Sequence, residues 1–489
     1  MTTIANRIIR NANKANFDLT IAILDIAAKI ADNGGQAFFV GGCVRDFFLN
    51  TKTNDIDIVV EGMGFDKLDS ILKTFGETKQ TGKEFLVIKI NIEGQEFDFS
   101  IARDETSTGD GFKNFKINPA SLIEDLTRRD ITINAMAINI LTGELIDPFG
   151  GQADIENRII RHTSAKFTES SERPLRLMQI LARNPEFTIH PDTIAICAGM
   201  SDKFASIDPS QIAAQFTKLF EKGKRPGMGI MFLKTIGFIE HFPSLEALDG
   251  LPQSAKHHPE GDALIHTCMT MDAMSAICNR EGIDGTQRMK LIATAIAHDM
   301  GKPETTDTTG DDITSKGHAS ATDAAIAFLN QIGIHQGMIK AIIALTREHM
   351  AIMQGKITPK AIKRIARRLN EATGADTASD DDKLDIRKTA TLNDLCFIFE
   401  ADASARSADR EIRLIGQTGA IAKFREIAEA LKLDDGQKPT SLITGENLIA
   451  MGMKPGKHFG KILKAITEAE ESGKINTEAE ALEMARGMA

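Results

Sequence analysis

Asp55 and Asp57 stand one residue apart in "DIDIVV" (55–60), whose alternation predicts a strand with both carboxylates on one face and Ile56 and Ile58 on the other. Carboxylates so placed suit Mg²⁺, which takes hard oxygen ligands. Two such ions, about 3.5–4 Å apart, can activate an attacking hydroxyl and stabilise a leaving pyrophosphate. Just upstream, "AFFVGGCVRDFFL" (37–49) reads as strand, glycine turn and helix start. Gly41 and Gly42 let backbone N–H groups approach a phosphate there. Arg45 either forks onto that phosphate or fixes the loop through a carboxylate. Asp98, between Phe97 and Phe99, is either a third carboxylate of the site or part of a solvated strand face. The chemistry this set implies is metal-dependent nucleotidyl transfer.

A second constellation lies far from the first. His266, His298, His318 and His349 are spread over one helical region, and Asp299 directly follows His298 at the end of "LIATAIAHDMGKP". One buried histidine is most often a satisfied core residue, but four with an adjacent carboxylate form a ligand set. Imidazole with carboxylate suits Mn²⁺, Ni²⁺, Fe²⁺ or Zn²⁺. A bound ion of that kind would activate water toward a phosphate ester.

The elements that position these residues predict an α+β protein. To about residue 150, strands mix with helices: "EFLVIKINIEGQEFDFSIAR" is a hairpin turning near Gly94, and "AMAINILTGELIDPF" is another turning at Gly143. Ile23, Ile26 and Ile30 mark a helix in 20–31. Beyond about residue 155 the strand pattern stops and helix-period positions dominate. The polar stretches 305–317 and 372–385 read as loops. "TPKAIKRIARRL" (358–369) puts Lys360, Lys363, Arg364, Arg367 and Arg368 on one helical face, either a phosphate-tracking surface for RNA or a solvated face. "MGMKPGKHFGKILK" (451–464) adds Lys454, Lys457, Lys461 and Lys464.

At 489 residues the chain is too long for one core. Its net charge of −10 argues against nonspecific adhesion to nucleic acid while allowing a local basic groove. With no Trp and no Tyr, base stacking would fall to Phe, His or Arg. No apolar run is long enough to span a membrane, and the five cysteines form no close pairs, so reduced thiols and a cytoplasmic location are expected.

"GGCVRDFFLNTKTNDIDIVV" resembles the first motif of the bacterial tRNA nucleotidyltransferase and poly(A) polymerase family. "EDLTRRDITINAMAINILTGELIDPFGGQADIENRIIRHT" (124–163) is similar to its second motif, and 102–119 to the flexible loop between them. The resemblance implies Mg²⁺ on Asp55 and Asp57, with Asp98 beside them. It implies triphosphate contacts at Gly41, Gly42 and Arg45, and nucleotide and sugar contacts at Arg129, Asp130 and Asn134. Asp130 and Asn134, at i and i+4, would share a face of a helix. "HHPEGDALIHT", "AHDMGKP", "KGHASA" and "REHM" resemble the HD phosphohydrolase domain found on some of these enzymes, which adds Asp402 to the ligand set and implies Ni²⁺ or Mn²⁺.

In "SERPLRLMQ" (171–179), Glu172 and Arg176 match the family's base-selecting motif, but Arg173 replaces its templating Asp and Gln179 replaces an Arg. Arginine has no acceptor for the amine of C or A. Arg173→Asp is accordingly expected to sharpen selection of C and A over U and G. The implied organisation is a nucleotidyltransferase palm with a mixed sheet (1–155), a helical neck for base selection (156–245), an HD domain (246–425) and a helical tail (426–489). The implied activity is addition or repair of CCA on tRNA from CTP and ATP, with a phosphatase or 2′,3′-cyclic phosphodiesterase alongside. A poly(A) polymerase, a single-A-adding enzyme and an HD hydrolase with impaired transfer are the alternatives.

Overall fold

The apolar alternation at 37–40 and 56–60 becomes the centre of a sheet in the computed structural model. It describes residues 7–9, 17–53, 55–81, 87–107, 115–352, 357–373, 389–433, 441–472 and 474–488. The strands are β1 (Gln36–Val40), β2 (Ile56–Glu61), β3 (Thr78–Thr81), β4 (Val87–Ile92), β5 (Gln95–Ile101), β6 (Arg103–Ser107), β7 (Phe115–Pro119), β8 (Ala137–Asn139) and β9 (Leu145–Ile146). Seven of them form one mixed sheet in the order β3-β4-β5-β2-β1-β8-β9, and β6 pairs separately with β7. Only β2 and β5 run parallel within the seven; their neighbours are antiparallel. Both expected hairpins form, at β4–β5 and β8–β9.

The central strands β1 and β2 are buried almost throughout, whereas β4 and β5 alternate buried apolar residues with the polar face of Lys89, Glu96 and Asp98, and a one-residue slip would turn that polar face into the core. Phe38, Val40 and Val59 pack with Leu122, Leu126 and Ala137. Phe39, Ile58, Phe97 and Phe99 are buried as well, as are Ile23, Ile26 and Ile30 of the helix Phe17–Asp32. The loop segment expected at 102–119 is in part the β6–β7 pair, and 108–114 lie outside the described residues.

The chain divides into two compact units, Met1–Gln215 with Met228–His241, and Phe216–Gly227 with Phe242–Ala489. In the first, the helix Arg173–Arg183 begins with Pro174 in its opening turn and buries Leu175, Leu177, Met178 and Leu181. Beyond residue 155 the strand pattern does not vanish: Ile159–Ile160 pairs in parallel with Thr188–Ile189.

The second unit is built on the helices Ala263–Glu281, Gly285–Ala297, Gln336–Glu348, Pro359–Thr373 and Leu392–Ser404. Asp262 caps the first by accepting from Ile265 N at 2.8 Å, and Thr391 with Asp394 forms a reciprocal capping box on the last. The 305–317 stretch, read as a loop, contains the antiparallel pair Thr306–Asp307 and Thr314–Ser315. Residues 374–388, most of the second expected loop, lie outside the described residues. No described helix is long and apolar enough to cross a membrane, and all five cysteines are buried free thiols.

Candidate active site and candidate metal centre

The sheet register assembles the first site. Val40 pairs with Asp57 across β1 and β2, and Asp57 pairs with Asp98 across the parallel β2 and β5. Gly41 leaves β1 at φ 72°, in the left-handed region that glycine tolerates. A Cβ there would lie 2.9 Å from Arg129 Nη1 and 3.7 Å from Asp57 Oδ2, so the missing side chain is what lets that guanidinium come close to the carboxylate. Asp57 is half-buried and Asp55 exposed. Burial pushes the Asp57 carboxyl above its usual range; Arg129 opposes the shift, and Asp98 and Asp55 add to it. A half-buried carboxylate crowded by two others, with one guanidinium near, fits a site made for divalent cations.

Asp98 carries its own counter-ion: Lys89 Nζ on β4 donates to its two oxygens at 2.9 and 3.0 Å. The sequence reading did not anticipate this cross-strand pair. Nor did it single out Asp125, which is fully buried and accepts from Arg128 Nη2 at 2.8 Å and from Arg129 Nη2 at 3.1 Å. The two arginines outweigh the cost of burial and hold the Asp125 carboxyl below its usual range.

Arg45 takes the structural option left open above. Its Nη2 and Nε donate to Asp46 at 2.8 and 3.0 Å, and its Nη1 to Asn134 Oδ1 at 2.7 Å. Asn134 in turn donates to Asp130 Oδ1 at 3.2 Å. The 130–134 stretch is not an α-helix: Thr132–Asn134 is a single 3₁₀ turn. The pair still meets because the turn folds Asn134 back onto Asp130. Asp130 is buried and receives Arg176 Nη1 at 3.2 Å, while Arg176 Nη2 reaches Glu172 at 2.9 Å. Asp46, Arg45, Asn134, Asp130, Arg176 and Glu172 thus form a connected polar string.

Arg173 does not join that string. It is 8% exposed, its Nη1 donates to Lys166 O at 2.7 Å, its Nη2 donates to Arg128 O, and it lies over the Phe167 ring. Its fork is spent on backbone carbonyls.

In the second unit, His266, His298, Asp299, His318, His349 and Asp402 converge although 136 positions separate the first from the last. Each imidazole has its Nδ1 tied to an acceptor: His298 to Ala295 O at 2.7 Å, His318 to Ser315 O and His349 to Thr346 O at 2.6 Å, and His266 to Glu260 Oε1 at 2.7 Å. An Nδ1–H donated outward leaves the Nε2 lone pair for a ligand, as metal-binding histidines require. The buried His298 Nε2 and Asp299 Oδ2 lie 3.2 Å apart without forming a directed hydrogen bond. Lys302 Nζ stands 2.6 Å from that Oδ2, so His298 Nε2 is the buried atom left without a hydrogen bond, and an ion there would satisfy it.

The electrostatics agree. His266 and His318 are raised above the usual imidazole range despite burial, by Asp402 with Glu260 and by Asp299 respectively, while burial beside His298 pushes His349 down to about 3. Lys302 Nζ sits 2.6 Å from Asp299, and Arg406 forks onto Asp402 at 2.8 Å. The residues fit a metal centre.

That centre faces a cavity of about 890 Å³. The Thr314–Ser315 strand and residues 316–317, read in sequence as part of a loop, line one side with His318, and Arg364 and Arg368 of the helix Pro359–Thr373 line another. Ile362, Ile365 and Leu369 are buried as the periodicity predicts. The cationic face itself divides: Arg368 forks onto Glu348 at 2.6 Å through two bonds, and Lys363 turns toward Glu470 at 3.9 Å.

Residues 37–161 match the sequence family of the poly A polymerase head domain. The chain is also 34% identical over 277 residues to a multifunctional CCA protein of Azoarcus sp. (strain BH72), covering 55% of this chain and 63% of that protein's length. In three dimensions, a Thermotoga maritima CCA-adding enzyme complexed with tRNA aligns over 99% of this chain and 98% of its own, with a TM-score of 0.59 and 18% identity. A Bacillus stearothermophilus CCA-adding enzyme in complex with CTP aligns over 96% and 98%, with a TM-score of 0.60 and 18% identity. The chain has the fold of the CCA-adding enzymes. Asp55, Asp57, Asp98, Arg129 and Asn134 all fall within the head-domain segment of that fold.

Proposed function

We propose that the chain adds or repairs CCA at the 3′ end of tRNA, in the cytoplasm, by template-independent nucleotidyl transfer from CTP and ATP. The observation that carries this reading is the register pair Asp57–Asp98 beside the Arg129 guanidinium at Gly41, inside a poly A polymerase head domain. The terminal hydroxyl of the RNA attacks the α-phosphorus of the nucleotide, and pyrophosphate leaves. Asp55 and Asp57, with Asp98 alongside, would hold Mg²⁺, which would supply charge neutralisation to the triphosphate and acidify the attacking hydroxyl.

Arg129, braced by Asp125, places positive charge against the phosphates. The left-handed turn at Gly41 keeps that approach open. Arg45 and Asn134 brace the turn and Asp130 rather than ride freely in solvent. Base selection falls to Arg176 as donor and Glu172 as acceptor, with Arg173 acting as a strut behind them.

The reading is tested by extending tRNA transcripts that end before CCA, after C, or after CC, with Mg²⁺ and each nucleotide singly and together. Ordered addition of C, C and A that then stops is the expected result. Long A tails, or addition of A alone, would replace it with a poly(A) polymerase or an A-adding enzyme. No incorporation would leave hydrolysis as the main activity.

A second activity is favoured by the four outward-tied imidazoles. We infer that the His266–Asp402 cluster holds a transition metal such as Mn²⁺ or Ni²⁺ and hydrolyses phosphate esters, including 2′,3′-cyclic phosphates at RNA ends. Release of phosphate from a monoester, or opening of a 2′,3′-cyclic phosphate to a monoester, that is lost in Asp299→Ala while Mg²⁺-dependent nucleotide addition is retained is the result that supports it.

A further inference from the structure

Glu260 Oε1 serves two imidazoles at once. Nδ1 of His266 stands 2.7 Å from it and Nδ1 of His258 stands 2.9 Å from it, and the two rings meet edge to face with their centroids 4.6 Å apart. An ionised carboxylate only accepts, so both Nδ1 atoms carry a proton and both Nε2 atoms keep a lone pair. His266 turns its Nε2 into the ligand cluster, 3.1 Å from Asp402 Oδ1. His258 has the same tautomer and a different outlook. Its Nε2 has no hydrogen-bond partner among the described residues and is not enclosed. The ring lines the cavity in front of the cluster, with 15% of its side chain exposed.

The backbone holds that ring in place. His258 N donates to Ser254 O at 2.8 Å, and His258 O accepts from Gly261 N at 3.4 Å. Pro259 restricts the conformation of His258 itself. Ligand-type atoms of His258, Glu260 and His266 do converge, but the two Nδ1 lone pairs are taken up by protons, which leaves no place for an ion among them. His258 therefore faces whatever occupies the cavity. Donors are plentiful there: Lys302, Arg347, Arg364 and Arg406 line it and suit a phosphate. Acceptors are largely spent. Gln253 Oε1 takes Lys302 Nζ at 2.5 Å, and both oxygens of Glu348 take Arg368 at 2.6 Å. His258 Nε2 is a fixed acceptor still open to a substrate.

Resting on the reading of this cluster as a hydrolase of phosphate esters at RNA ends, we propose that His258 reads the sugar of its substrate. Its Nε2 accepts from the hydroxyl next to the scissile phosphate, the 2′-hydroxyl beside a 3′-phosphomonoester. One ring contact separates His258 from the ligand His266, so the group it meets is a near neighbour of the phosphate held at the cluster. A 2′-hydroxyl donates where deoxyribose offers nothing, which is how a protein tells RNA from DNA at one position. Glu260 thus sets two rings with one oxygen, His266 toward the ligand cluster and His258 toward the ribose.

The test compares two substrates on the full-length protein with Mn²⁺: a short RNA ending in a 3′-phosphate, and the same RNA whose last nucleotide is 2′-deoxy. The expected result is a kcat/KM about 3–10-fold higher for the ribose end, the equivalent of one neutral hydrogen bond, carried mainly by KM. His258→Asn keeps an amide N–H for Glu260 and removes the atom that faces the cavity, so the ratio should fall to about one. His258→Gln, whose amide oxygen reaches further, should recover part of it. Equal rates on the two ends by the parent, or a ratio that survives in His258→Asn, overturns the proposal and keeps the hydrolase. Release of phosphate from neither end overturns both. Mn²⁺ affinity, measured by calorimetry in the Asp55→Asn/Asp57→Asn background so that the palm does not contribute, separates the sugar contact from support of the metal. A loss of affinity in His258→Asn equal to its loss of kcat/KM would overturn the proposal. Should His258→Asn fail to fold by circular dichroism, His258→Gln is read against the parent on the same two ends, and a ratio unchanged from the parent's overturns the assignment to Nε2.

Discussion

Glu260 Oε1 stands 2.7 Å from Nδ1 of His266, and the opposite nitrogen of that imidazole lies 3.1 Å from Asp402. The carboxylate also receives His258 Nδ1 at 2.9 Å and is wholly enclosed. It fixes which nitrogen of His266 carries the proton and turns Nε2 to the cluster, where the other three histidines use backbone carbonyls for the same purpose. Carboxylates behind metal-bound histidines are commonly worth about 10–100-fold in affinity or activity. Glu260→Gln should therefore weaken Mn²⁺ binding at the cluster by about that factor and lower phosphate release in step. Nucleotide addition at the palm should not change. Equal metal affinity in the two proteins would remove the carboxylate from the metal's support.

Arg173 has a different destiny from the one its place in "SERPLR" predicts. With both Nη atoms committed to the carbonyls of Arg128 and Lys166 and its plane over Phe167, it ties the chain at 128 and at 166 to the helix Arg173–Arg183. Arg173→Asp would put a carboxylate against two carbonyl oxygens. Losing hydrogen bonds from a buried charged group costs about 1.5–3 kcal/mol. The expected outcome is a lower melting temperature with the C, A, U and G incorporation ratios unchanged, not sharper selection. A change in those ratios without loss of stability would return Arg173 to the base pocket.

These two residues mark the limit of what the sequence disclosed. The strand itself was legible from its period of two, and β2 (Ile56–Glu61) carries Asp57 with Asp55 one residue before its start. The helix face at 358–369 was legible for the same kind of reason, since Ile362, Ile365 and Leu369 follow the 3.6 period and are buried. Glu260 was not, because an acid in "HHPEGD" looks like any loop carboxylate until the chain brings His266 onto it. Arg173 was aligned by position, and position says nothing of where a long side chain spends its donors. The Lys89–Asp98 pair depends on strand register, which no local pattern specifies. The divided face of the basic helix depends on neighbours, Glu348 and Glu470, that lie 20 and 107 positions away from their partners.

Asp125 offers a prediction with a definite pH sense. Its carboxyl is held below the usual range by Arg129 and Arg128 in spite of burial. A depressed carboxylate contributes stability that is fully present above its unfolded value, about 3.9, and is lost as pH falls through the lower folded value. Asp125→Asn should thus be less stable than the parent at pH 7. The difference between the two melting temperatures should shrink as pH drops below about 4. The same change frees Arg129 beside Gly41, so kcat/KM for nucleotide addition should fall about 10–100-fold, the equivalent of about 1.5–3 kcal/mol for a charged hydrogen bond. A difference in melting temperature that is independent of pH would show that the asparagine costs stability through packing instead.

Arg364 and Lys363 are neighbours in sequence but serve different surroundings, and that separates two uses of the basic helix. Arg364 is exposed and lines the cavity of the metal cluster, whereas Lys363 faces toward Glu470. If the cavity receives a phosphorylated RNA end, Arg364→Ala should raise KM for phosphate release by about 3–5-fold, the upper range of an exposed charge contact. The effect should fade at high salt, because screening acts on exposed pairs. Lys363→Ala should leave that KM within twofold. Nucleotide addition measured on the same tRNA then discriminates further. A cavity role for Arg364 leaves addition untouched, while a shared fall in both activities for the two variants would mean that the whole helix face grips the RNA.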